Sequence, residues 1–173
     1  MDQGFSTLEF RESKTPKAIL VIGVGNEYMG DDGVGLFIAR KLKAQNLPIV
    51  QVEVQTGEAA SLIEAWEAVE AVILLDAVRS DGSPGRIYQF KAPTEFIPNR
   101  FFNSSTHNFG VAEAVELART LGRLPRCLTI YGIEGRCFEV GRRLSPEVEQ
   151  AAGDVIQRVI RDIYEEIENV SMT

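Results

Sequence analysis

The chain has 173 residues, 45% hydrophobic and 25% charged, the proportions of an ordinary globular domain large enough to bury a core. Eighteen basic residues against 25 acidic ones leave a net charge of −7, which opposes nucleic acid or an anionic membrane as the main partner. No apolar run approaches the roughly 18–20 residues of a bilayer span, and two cysteines are too few for a disulfide framework.

Residues 1–16 are polar and patternless and lack the apolar run of a secretory signal, so a flexible arm and a cytoplasmic protein are expected. Residues 17–173 then read as one domain. Ala18 to Val24 is a continuous apolar run, as in a strand covered on both faces. Val34 to Ala44 carries apolar residues at helical spacing, and Ile49 to Val54 reads as a second strand. Ala59 to Val69 is a helix with Leu62, Ile63 and Trp66 on one side. Ala71 to Leu75 is a third buried strand, closed by Asp76.

A turn cluster at Ser80 to Gly85 leads to Arg86–Phe90, which alternates like a strand at a sheet edge. Ala92 to Phe102 reads as irregular, Asn108 to Leu121 as a helix, and Cys127 to Ile133 as a buried strand. Ser145 as N-cap and Pro146 in the first turn open a last helix, with Val148, Val155, Val159, Ile160 and Ile163 on its buried side. This alternation predicts a three-layer α/β/α sandwich, a mostly parallel twisted sheet with helices on both faces. In such folds ligands bind beyond the carboxyl ends of the strands.

Three residues stand out there. The loop Gly23-Val-Gly-Asn-Glu-Tyr-Met-Gly-Asp-Asp-Gly-Val-Gly35 is rich in glycine, but a dinucleotide motif starting at Gly23 would need glycine where Tyr28 stands. Its two aspartates would also point charge at a pyrophosphate. One of Asp31 and Asp32 suffices to cap the following helix, which leaves the other free to bind something. Asp76 sits at a strand tip, where the alternative to a ligand is a loop hydrogen-bonder. His107, the chain's one histidine, precedes a helix and reads equally as a ligand or a loop hydrogen-bonder. Two carboxylates and an imidazole together suit a borderline divalent metal with open positions. No GxSxG elbow exists, Cys127 begins an apolar strand, and Cys137 has no second histidine to activate it.

Gly23-Val-Gly-Asn26 followed by Asp31-Asp32-Gly33-Val-Gly35 resembles the opening motif of the hydrogenase maturation endopeptidases. Leu74-Leu-Asp76-Ala77, Ser105-Thr-His107 and the segment from Gly132 to Glu147 are similar to later parts of that family, in matching order and spacing. The resemblance implies removal of a short C-terminal extension from a hydrogenase large-subunit precursor after nickel insertion. It implies Asp32, Asp76 and His107 as the metal-contacting and catalytic residues, and a divalent metal, nickel, presented by the substrate's cysteines. One departure is Gln55-Thr-Gly-Glu58, where many members carry Asp-Gly-Gly-Thr; Glu58 is the nearest substitute carboxylate. The readings left open are a nickel-dependent protease, a checkpoint protein of the same fold that senses nickel-loaded partners without cutting them, and a nucleotide-binding domain, which the glycine spacing disfavours.

Overall fold

The structure, a computed structural model, describes residues 19–98 and 110–171, with side chains to residue 168. The expected N-terminal arm falls outside these residues. Five strands form one sheet in the order β2-β1-β3-β5-β4. They are β1 (Ile19–Val24), β2 (Val50–Gln55), β3 (Ala71–Val78), β4 (Ile87–Lys91) and β5 (Cys127–Glu134). All pair in parallel except β4, which runs antiparallel to β5 at one edge, where the alternation of Arg86–Phe90 had put a strand.

The helices are α1 (Val34–Lys43), α2 (Ala59–Trp66), α3 (Val111–Thr120) and α4 (Pro146–Ser171), and they cover both faces. Leu20, Ile22, Leu74 and Ile130 face α2 and α3, where Leu62, Ile63, Trp66 and Val115 complete the packing. Ile19, Val21, Ile73 and Ile133 face α1 and α4, against Ile38, Leu42, Val155 and Val159. Burying β1 and β3 on both sides is what their unbroken apolar runs require, and every residue of both strands is buried. The expected three-layer α/β/α sandwich is therefore present. Among the described residues no helix is long and apolar enough to cross a membrane.

Two expectations need correction. β3 does not stop before Asp76: it runs on to Val78, because β5 pairs with it as far as Glu134. Asp76 thus lies inside a strand, paired with Gly132, at the level where β1 is ending. Ser145 does directly precede α4, but the bond its hydroxyl makes among the described residues is to Asp31 Oδ2, at 2.8 Å, and not to the helix.

Glycine lets α1 press onto the sheet. A Cβ at Gly35 would stand 2.2 Å from the Leu75 carbonyl oxygen and 2.4 Å from that of Val24. A side chain there would lift the start of α1, and with it the turn that carries both aspartates, off the ends of β1 and β3.

Candidate active site

The loop leaving β1 enters α1 through a single 3-10 turn, Gly30–Gly33, in which both Asp31 and Asp32 are buried. Gly25 makes the approach possible. Its φ of +137° suits glycine, and a Cβ there would come 1.9 Å from the Asp32 carbonyl oxygen. The Asn26 N–H then donates to Asp32 Oδ2 at 2.9 Å. Across the gap, Asp76 points from the α2/α3 face of the sheet, by register on the same side as Val24 and Leu74. The Ala77 N–H donates to Asp76 Oδ1 at 2.8 Å.

Asp32 is 8% exposed and Asp76 7%, yet among the described residues each carboxylate receives this one hydrogen bond and no cation. The electrostatic consequence is direct. Burial raises the Asp32 carboxyl above the ordinary aspartate range, opposed by the Asn26 N–H. Burial raises Asp76 well above that range, and the charge on Asp32 raises it further. Two like charges in a poorly solvated place repel each other and attract a cation. Among the described residues each carboxylate keeps one oxygen without a hydrogen bond, open to such a ligand.

Asp31 is different. Neither aspartate caps α1 through its side chain, as the sequence had suggested one would. Asp31 instead receives the N–H groups of Arg136 (2.7 Å), Cys137 (2.8 Å) and Ser145 (2.6 Å) and the Ser145 hydroxyl. Its own N–H donates to the Cys137 carbonyl at 2.8 Å. It is a clamp holding the loop between β5 and α4 against the turn. Glu134, 2% exposed at the end of β5, does similar work by accepting the Ser80 N–H and hydroxyl. Neither role had a signal in the sequence, since the partners are remote.

The structure brings Asp32 and Asp76 together at the carboxyl ends of β1 and β3. His107 lies outside the described residues. Gln55 ends β2, its Nε2 donating to Glu53 Oε2 at 3.4 Å, and its Oε1 is buried with no hydrogen-bond partner among the described residues. Glu58, the expected substitute carboxylate, stands exposed at the N-cap position of α2.

A mostly parallel α/β sandwich with a buried acidic pair at the level where β1 ends is a ligand-binding fold with an acidic site. The chain's relatives give the class. Residues 36–162 match the family model described as hydrogenase maturation protease. The Escherichia coli (strain K12) protein named hydrogenase 2 maturation protease is 28% identical over 151 residues, covering 85% of this chain and 91% of that one. Protein FrxA of Pyrococcus furiosus is 33% identical over 139 residues, covering 78% and 98%. The solved structure of the E. coli hydrogenase maturating endopeptidase HybD superposes with a TM-score of 0.68 at 26% identity, over 86% of this chain and 93% of that one. The chain belongs to the hydrogenase maturation protease family, and so to the peptide-bond hydrolases.

Proposed function

We propose that this protein is a cytoplasmic endopeptidase that removes a C-terminal extension from a nickel-loaded hydrogenase large-subunit precursor. The observation that carries the reading is the pair Asp32–Asp76: two buried carboxylates, each anchored through one oxygen, with their charges set against each other and only weakly solvated. Such a pair is stabilised by a divalent cation. Two carboxylate oxygens alone make an incomplete donor set, suited to an ion that brings other ligands with it. Nickel held by cysteines of the precursor is such an ion, and on this reading it belongs to the substrate. His107 is assigned as the third contact. Its support is the match of Ser105-Thr-His107 to the family motif and the position of α3, which starts at Val111 on the face that Asp76 points to.

The test uses enzyme stripped with a chelator that is then removed, mixed with nickel-loaded or nickel-free precursor. Loss of the C-terminal peptide from the loaded precursor alone is expected. Cleavage that returns only when metal is restored to the enzyme would make the metal resident. Binding of loaded precursor with no cleavage in any arm would favour the checkpoint protein.

A further inference from the structure

Beside the turn that carries Asp32 runs a groove of about 710 Å³. It follows α1 from Gly33 to Ala44, with the loop between β5 and α4 forming its opposite wall. Four cations line it: Arg40 and Lys41 from the helix, Arg142 and Arg143 from the loop. Only Glu27 and Glu149 oppose them, so the groove is locally basic in a chain whose net charge is −7. Its cations are loosely held. Arg40 pairs with Glu27 at 2.7 Å and Arg142 with Glu139 at 3.3 Å, all largely exposed, and such pairs are weak enough for another anion to displace. Arg143 has no ion-pair partner among the described residues. Lys41 lies 5.5 Å over the Phe37 ring, which gives the groove an apolar surface beneath its charge.

Both walls are fixed to the acidic site. α1 grows directly out of the turn holding Asp32, and Asp31 ties the loop bearing Arg142 and Arg143 to that same turn. The Gly141 N–H adds a bond to the Tyr28 carbonyl at 2.9 Å. From Gly33 to Ala44 the helix rises about 16 Å, the span of roughly five extended residues.

We propose that this groove is the subsite for an extended, carboxylate-bearing segment of the precursor next to the cut bond, an inference that rests on the protease reading above. An anionic chain gains from the four cations there, while Asp32 in the adjoining turn repels it and stays reserved for metal. The carboxylates come from acidic side chains or from the free C-terminus of the segment.

The experiment measures anisotropy of a labelled hexapeptide with two glutamates and of its two-glutamine counterpart, each as free acid and as amide. The glutamate free acid should bind at least tenfold tighter than the glutamine amide, and raising salt from 50 to 500 mM should abolish most of that advantage. The two mixed peptides assign the preference to side chains or terminus. The double variant Arg142→Glu/Arg143→Glu should lose the preference, and the milder Arg143→Gln should lose part of it. Circular dichroism of both variants checks the fold. On nickel-loaded precursor, the loss should appear in KM rather than kcat. Equal binding of all four peptides, or a preference unchanged in the folded double variant, overturns the groove. Charge-selective binding by a protein that cuts no precursor would leave the groove standing and overturn the protease reading instead.

Discussion

Asp31 and Asp32 are neighbours in one turn and both are buried, yet they do opposite things. Asp31 is met by three N–H groups and a hydroxyl, so its charge is satisfied inside the protein. Among the described residues Asp32 is met by one N–H, and it faces a second carboxylate. The difference shows that burial does not mark a functional carboxylate; burial without enough donors does. A carboxylate with a full set of hydrogen bonds holds structure together, whereas one left short of them costs stability until a ligand arrives.

The largest contrast should come from Asp76→Asn and Asp31→Ala. Asp76→Asn keeps the volume and removes one of the repelling charges. Processing of nickel-loaded precursor should fall at least about 100-fold, the scale of a lost metal contact, while Tm in metal-free buffer rises by a few degrees. A variant that processes normally would dismiss Asp76 from the site. Asp31→Ala should behave the other way. It strands the Arg136, Cys137 and Ser145 N–H groups, and losing charge-assisted bonds of this kind should destabilise the fold by about 3 kcal/mol. Denaturant titration reads this directly, and a change below about 1 kcal/mol would mean the clamp is solvated after all. Asp31→Asn should fall between, since an amide still accepts but through one oxygen.

Much of this was legible in the sequence, for reasons that differ by region. The unbroken apolar runs of β1 and β3 announce strands covered on both faces, and the helical spacing of α1 and α4 announces their partners. The positions of Asp32 and Asp76 follow from that order of elements. The division of labour between Asp31 and Asp32 does not, because what separates them is bonding to residues 105 to 114 positions further along. The end of β3 is hidden in the sequence for a related reason. A polar residue closes a strand in sequence, but here pairing with β5 carries the strand past it. The basic groove was invisible as well, since its cations come from two segments about a hundred positions apart that meet only in the folded chain.

The smallest expected effect tests the origin of the contrast. Asp76 has a raised carboxyl in the folded protein, first through burial and then through the charge of Asp32. In the unfolded chain it titrates near the ordinary value of about 3.9. A group raised on folding contributes stability that is fully present below its unfolded value and is lost as pH rises through its folded value. At pH 7 to 8 the wild type should therefore carry a penalty that is absent near pH 4, and Asp76→Asn should not. The Tm advantage of Asp76→Asn, measured without metal, should be largest near pH 8 and shrink steadily toward pH 4. The same substitution in an Asp32→Asn background should show a smaller dependence, because one of the two causes is gone. It should not vanish, because burial is the larger cause and remains. A Tm advantage that stays constant from pH 8 to pH 4 would show that the charge of Asp76 does not strain the fold, and the case for a cation-seeking site would lose its electrostatic basis.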